Sequence, residues 1–229
     1  MGSDDLFKKR KGQRKQRKEN NLKMAPYRYL IVCEGQETEK NYFEGIRKRI
    51  DARYPGSVKV EEKVELNVKG IGRNTESLVK YTTEYVNRSN VSYGQIWVIF
   101  DKDNFSDEQF NDAIHEADNK GYGVGWSNEA FELWFLLHFE YLCSAINRDQ
   151  YCDKLTKHFG KAGINNGKYE KNLENIFELL MEYGDFKQAI EWAKLLLEMH
   201  REAGNNNSEA KMKPATKVFN LVKELSEYF

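Results

Sequence analysis

Little cysteine, no long apolar run and no net charge are the three absences that bound what this 229-residue chain can be. The three cysteines, Cys33, Cys143 and Cys152, are an odd number without CxxC spacing. That excludes a disulfide framework and a thiolate zinc site, and it suits a reducing cytoplasm. No apolar stretch approaches the roughly 20 residues of a membrane span. The basic N-terminus lacks the apolar segment of a secretory signal. Histidine offers no metal site either: His115 reads as a surface residue, because no second His or Cys stands at ligand spacing from it.

What is present is a globular composition, 40% hydrophobic and 31% charged, on a chain long enough for one α/β domain with an appendage or two small domains. The zero net charge hides an asymmetry. Residues 1–23 carry nine Lys and Arg against three acids, the densest run being Lys8, Lys9, Arg10, Lys11, Arg14 and Lys15. Too poor in apolar residues to fold alone, residues 1–25 read as a flexible basic arm. Such an arm is suited to nucleic-acid phosphates, or alternatively serves only as a solubilising tail.

The rest is organised around Ile96-Trp97-Val98-Ile99-Phe100, an apolar run that ends abruptly in Asp101-Lys102-Asp103. Such a run reads as a strand buried on both faces, the pattern of a parallel sheet. Ligands bind in the crevice outside the carboxyl ends of such strands. Two carboxylates at i and i+2 there can share one Mg²⁺ or Mn²⁺ ion, although a solvated turn has the same composition.

Earlier in the chain, Tyr27–Cys33 forms a strand that ends on Glu34-Gly35 and feeds a helix carrying Tyr42, Phe43, Ile46 and Ile50. A partly alternating strand, Val58–Val68, leads into a glycine-containing loop with Lys69 and Arg73 ahead of another helix. Basic groups at a helix N-terminus can cradle a phosphate, yet no named glycine motif is matched and a structural turn accounts for the loop more simply. After the central strand, Ser106 caps a helix through Phe110, Ile114 and Ala117 that stops at Gly121. A short strand, Tyr122–Trp126, then meets the apolar helix Glu129–His138. Asn128, Glu129 and Glu132 at that junction are a second candidate set, read equally well as caps and as metal or substrate contacts. Beyond residue 141 the pattern is helical: 151–159, 169–183, 186–201 and 214–229, the last opened by Pro214 at a first-turn position.

Glu34 after a first strand and Asp101-x-Asp103 after a later one resemble the Toprim domain of topoisomerases, primases and related nucleases. The segments Leu30–Gly35, Val98–Asp103 and Ser127–Trp134, occurring in that order, more closely resemble the RloB-like family of prokaryotic restriction and abortive-infection operons. That resemblance implies a Toprim-like, Rossmann-like four-stranded and mainly parallel sheet flanked by helices over residues 26–140, with a helical region over 141–229. It also implies a Mg²⁺- or Mn²⁺-dependent nuclease of antiviral defence, with Glu34, Asp101 and Asp103 as metal and catalytic residues. Its substrate would be DNA or RNA, tRNA among them, and Lys69, Arg73 and Lys102 would neutralise the phosphate. The resemblance further implies a companion, RloA-like ATPase as controlling partner, and it leaves room for an oligomer. The competing expectation is a regulatory module that binds nucleic acid or a partner without catalysis.

Overall fold

The computed structural model describes residues 28–53, 65–70, 75–103 and 105–229. The basic arm with Lys8, Lys9, Arg10, Lys11, Arg14 and Lys15, the first part of the second expected strand, and Arg73 with its loop lie outside the described residues.

Continuous apolar runs make the centre of the sheet. Strands β1 (Arg28–Cys33), β2 (Glu65–Gly70), β3 (Gln95–Asp101) and β4 (Gly123–Asn128) are parallel and ordered β2-β1-β3-β4. Leu30, Ile31, Val32 and Cys33 on β1, and Val98, Ile99 and Phe100 on β3, have no exposed surface. Both sheet faces are therefore covered, which is why these strands read as unbroken hydrophobic runs rather than alternating ones. Tyr29 pairs with Gln95 and Cys33 with Ile99, so β3 runs on past the end of β1 to Asp101.

The chain returns between strands through α1 (Thr38–Arg53), α2 (Thr75–Arg88) and α3 (Asp107–Asn119). Helix α3 starts where the sequence places it. The Ser106 hydroxyl accepts from the Gln109 N–H, Gln109 reaches back to the Ser106 N–H, and Gly121 follows the helix at φ 72°.

Two expectations at the end of β4 are corrected. The helix predicted over 129–138 is only α4 (Glu132–Leu136), because Asn128 remains within β4 and the chain must first leave the sheet. The helix predicted from Pro214 does not begin there. After a cis Lys213–Pro214 peptide, Ala215–Thr216 form β5, antiparallel to β4 with Thr216 opposite Ser127 and Ala215 opposite Asn128. The sheet is thus five-stranded, its last strand supplied by the C-terminal region.

That region comprises α5 (Arg148–Ala162), α6 (Ile176–Tyr183), α7 (Phe186–Glu202) and α8 (Val218–Leu225). It packs onto the sheet domain through apolar surface. Gly45 on α1 lets Phe177 of α6 approach so closely that a Cβ on Gly45 would lie 2.5 Å from the Phe177 Cβ. Tyr42 meets Phe177 edge-on. One cluster of buried side chains runs from Phe43 and Trp126 to Leu180 and Val222. Among the described residues, no helix is long and apolar enough to cross a membrane.

Candidate functional site

In the strand order β2-β1-β3-β4 the winding reverses between β1 and β3, and a crevice opens at the carboxyl ends of that pair. Glu34 and Asp101 stand on its two sides. The Glu34 N–H donates to the Ile99 carbonyl at 2.9 Å, which extends the β1–β3 ladder by one residue. The Asp101 N–H in turn points at Glu34 Oε2, 3.3 Å away. Asp101 is 4% exposed. Its Oδ2 accepts from the Phe131 N–H at 3.0 Å, and its Oδ1 has no hydrogen-bond partner.

Strand geometry sends alternate side chains to opposite sides, so the residues after β3 part company. Asp103, at φ 34°, is held by the Asp103 N–H to Glu129 carbonyl bond of 3.2 Å, and its Oδ2 accepts from Arg148 Nη1 at 2.8 Å. Lys102 turns away. Its Nζ donates to the Phe105 carbonyl at 2.5 Å and pairs with Asp107 at 3.1 Å, at the start of α3. Lys69, on β2, sits with Nζ 5.4 Å from the Tyr85 ring centroid.

The second candidate set divides. Asn128 is 2% exposed, and its amide donates to the Ala210 and Glu209 carbonyls at 2.8 and 3.4 Å, tying β4 to the turn at Glu209–Lys211. Glu129 forms an ion pair with Lys213. Both are engaged in holding β4 to the C-terminal segment. Glu132 goes the other way: it is 1% exposed, its carboxylate oxygens make no well-formed hydrogen bond, and it faces Lys171 Nζ at 3.7 Å, the Arg148 guanidinium and the buried Tyr169 hydroxyl.

Three residues that sequence reasoning passed over complete the site. Glu39, in the first turn of α1, has the position of an ordinary dipole-favoured acid, but it is buried and folds back over Gly35. A Cβ on Gly35 would sit 2.0 Å from the Glu39 Oε2, so a side chain there would displace that carboxylate from its present position. Arg148 and Lys171 come from the helical region. Lys171 is positioned by its carbonyl, which accepts from Thr38 at 3.2 Å.

The electrostatics follow from crowding in a dry place. Burial first, then the Glu39 and Asp103 charges, push the Glu34 carboxyl up to about 7, against the opposing Asp101 N–H and Arg148. Burial and the neighbouring Glu132 likewise push Glu39 up to about 7. Asp101 lies well above the usual carboxylate range, through burial and the Glu39 and Glu132 charges. Burial works against the Arg148 guanidinium, but Glu132, Asp101, Asp103 and Glu39 outweigh it and hold the charge more firmly than in water.

These donors are all oxygen, and Asp101 Oδ1 and both Glu132 oxygens lack partners. A hard divalent cation, which needs only one or two carboxylates and otherwise keeps water, fits that chemistry. Among the described residues, however, no three His, Cys, Asp or Glu side chains converge as a ready-made metal cage, Asp103 being drawn to Arg148 instead.

Fold and site together define an α/β protein with an acidic centre at the topological switch point of a parallel sheet. The profile of the RloB-like protein family matches residues 29–225, which takes in the helical region as well as the sheet, and the chain belongs to that family. No curated protein and no solved structure matches it significantly.

Proposed function

We propose that this protein is a Mg²⁺- or Mn²⁺-dependent phosphodiesterase that cleaves nucleic acid, DNA or RNA, as the effector of an anti-phage system under the control of a companion ATPase. The observation that carries this reading is the pairing of Glu34 and Asp101 across the β1–β3 switch point, beside buried carboxylate oxygens without partners. Burying several like charges with a single guanidinium among them is costly, and such arrangements are kept where a ligand relieves them.

Asp101 and Asp103 would hold the cation, the latter in exchange for Arg148, with Glu34 as a further ligand or as acid/base. When bound, such an ion supplies an activated water and neutralises charge on the leaving oxygen. Glu34 has its own part. With a carboxyl at about 7 beside the Asp101 N–H, it can accept or return a proton near neutral pH, as a general base or acid must.

The test is cleavage of DNA, RNA and tRNA by the purified full chain, alone and with its companion ATPase, in Mg²⁺ or Mn²⁺ against chelator. Glu34→Gln and Asp101→Asn should each reduce divalent-dependent cleavage by about a hundredfold or more while leaving the fold intact. Cleavage that persists in chelator ends the divalent-dependent reading, cleavage that persists in Asp101→Asn ends the assignment of this site, and no cleavage under any of these conditions ends the hydrolase reading. A binding module without catalysis is the second reading, favoured by the Arg148–Asp103 pair, in which protein charge already answers one of the acids. It requires Glu34→Gln to keep full defence activity in cells.

A further inference from the structure

Arg148 is an odd residue for its position. It is the first residue of α5, whose start is fixed by Asn147: the Asn147 side chain accepts from the Gln150 N–H at 3.1 Å, and Gln150 answers to the Asn147 N–H at 3.0 Å. The positive end of a helix dipole disfavours a cation there, and acids are the usual occupants of a first turn. The capping box makes this a rigid platform, and the side chain leaves it to reach Asp103, far away in the sequence.

The contact is a single bond, Nη1 to Oδ2 at 2.8 Å, and the Arg148 Nε is buried without a partner. A guanidinium matched to a carboxylate would use two parallel bonds. The pair is about one-third exposed on both sides, 35% for Arg148 and 32% for Asp103, so it opens to solvent and can exchange partners. Its charge also acts on Glu132, 1% exposed, without a hydrogen bond and answered only at 3.7 Å by Lys171, and on Asp101, whose Oδ1 has no hydrogen-bond partner. The guanidinium therefore caps a charge deficit that it does not fill.

We propose that Arg148 is a phosphate-binding residue of this site, parked on Asp103 when no divalent cation is present. A cation that takes up Asp103 releases the guanidinium. Its fork of donors, Nε included, then binds the non-bridging oxygens of a nucleic-acid phosphodiester lying across the crevice mouth. Metal and phosphate binding become coupled through one side chain, which contributes to whichever ligand state follows. This inference rests on the divalent-dependent reading of the same site and adds to it the residue that senses the metal and receives the substrate.

The two halves predict changes of opposite sign in one variant. Calorimetric titration of the full chain with Mn²⁺ alone should show Arg148→Ala binding the ion about three- to tenfold more tightly than wild type, because a competing cation is gone. Fluorescence anisotropy with a short single-stranded oligonucleotide in Ca²⁺ should show the same variant binding about tenfold more weakly, with inorganic phosphate as the competitor that separates free-anion from phosphodiester recognition. Arg148→Gln, closer in volume, is measured alongside and should shift both affinities the same way. It decides the matter if the alanine variant does not fold. The proposal is overturned if Mn²⁺ affinity is unchanged or falls in the folded variants, which would make Arg148 a structural organiser of Asp103, or if oligonucleotide affinity is unchanged. Wild type that binds no Mn²⁺ overturns the underlying divalent-dependent reading, and this inference with it. Wild type that binds Mn²⁺ while the variants behave identically overturns the inference alone.

Discussion

The two ends of one sheet edge differ in how their polar groups are satisfied. At the β4–β5 end, the side chains of Ser127, Asn128, Glu129 and Thr216 all have partners, and of the β4 polar atoms only the buried Trp126 indole N–H goes without one among the described residues. Asn128 donates to two carbonyls, the Ser127 and Thr216 hydroxyls meet at 3.0 Å, Thr216 also reaches the Trp126 carbonyl at 3.2 Å, and Glu129 pairs with Lys213. At the β1–β3 end, Glu34, Glu39, Asp101 and Glu132 crowd together with oxygens left over. Both ends present short polar and acidic residues where a strand stops. Buried polar groups in native proteins are paired, so the satisfied end is architecture and the unsatisfied one marks a ligand.

The largest break in that comparison is Asn128→Ala. It strands the buried Ala210 carbonyl, while the Glu209 carbonyl keeps the Met212 N–H, and it loosens the hold of β4 on the Glu209–Lys211 turn. A loss of about 2–3 kcal/mol is expected, or about 5–10 °C in Tm for a chain of this size. The rise in Tm produced by Mg²⁺ should persist in the variant, because its amide faces away from the acids. A variant of normal Tm that no longer responds to Mg²⁺ would move Asn128 into the site and erase the distinction between the two ends.

The comparison also accounts for what could be read in advance. Glu34 and Asp101 were legible because strand and turn are local patterns, and a buried parallel strand has only one lip. Strands β1 and β3 followed from their unbroken apolar runs, while β2 is partly alternating and β4 carries two glycines. Glu39 was not legible: an acid in a first turn has a sufficient local explanation, and its burial depends on Gly35 lying beneath it. Arg148 and Lys171 were hidden for a different reason. They belong to amphipathic helical sequence whose docking is decided by Phe177, Tyr42 and their neighbours, and no local pattern reports where such a helix lands. The one available hint was an arginine directly after an Asn cap, against the dipole. Strand β5 failed in the same way, since two residues carry no period and Pro214 suits a helix start as well as a turn.

A smaller effect sharpens the comparison through pH. Glu39 is buried with its carboxyl raised to about 7 in the folded chain, against 4.5 for the free group. The folded state therefore holds that proton more tightly than the unfolded one. In chelator, stability is full below about pH 4.5, falls as pH climbs toward 7, and stays low above it. Glu39→Gln removes this group's share of the loss. The variant should be more stable than wild type by about 2 kcal/mol at pH 8 and nearly equal at pH 4.5. Thermal melts at the two pH values measure it, and saturating Mg²⁺ should narrow the gap at pH 8. Equal stability at both pH values would mean that Glu39 is not crowded.

The smallest effect concerns Lys102, the residue between the two aspartates and the one that sequence alone most readily assigns to a phosphate. Alternation at the end of β3 turns it away from Asp101, and there it closes the start of α3 through the Phe105 carbonyl and Asp107. Its side chain is 14% exposed while that of Asp107 is 59% exposed, so the ion pair contributes little and the bond to the carbonyl somewhat more. Lys102→Ala should cost about 1 kcal/mol of stability. Divalent-dependent cleavage should stay within about twofold of wild type, and the salt dependence of nucleic-acid binding should not change, since a lysine that does not touch phosphate releases no counterion. A tenfold fall in cleavage with Tm preserved would show that Lys102 leaves Phe105 and turns toward the substrate. Adjacency to the aspartates would then outweigh the alternation that separates them.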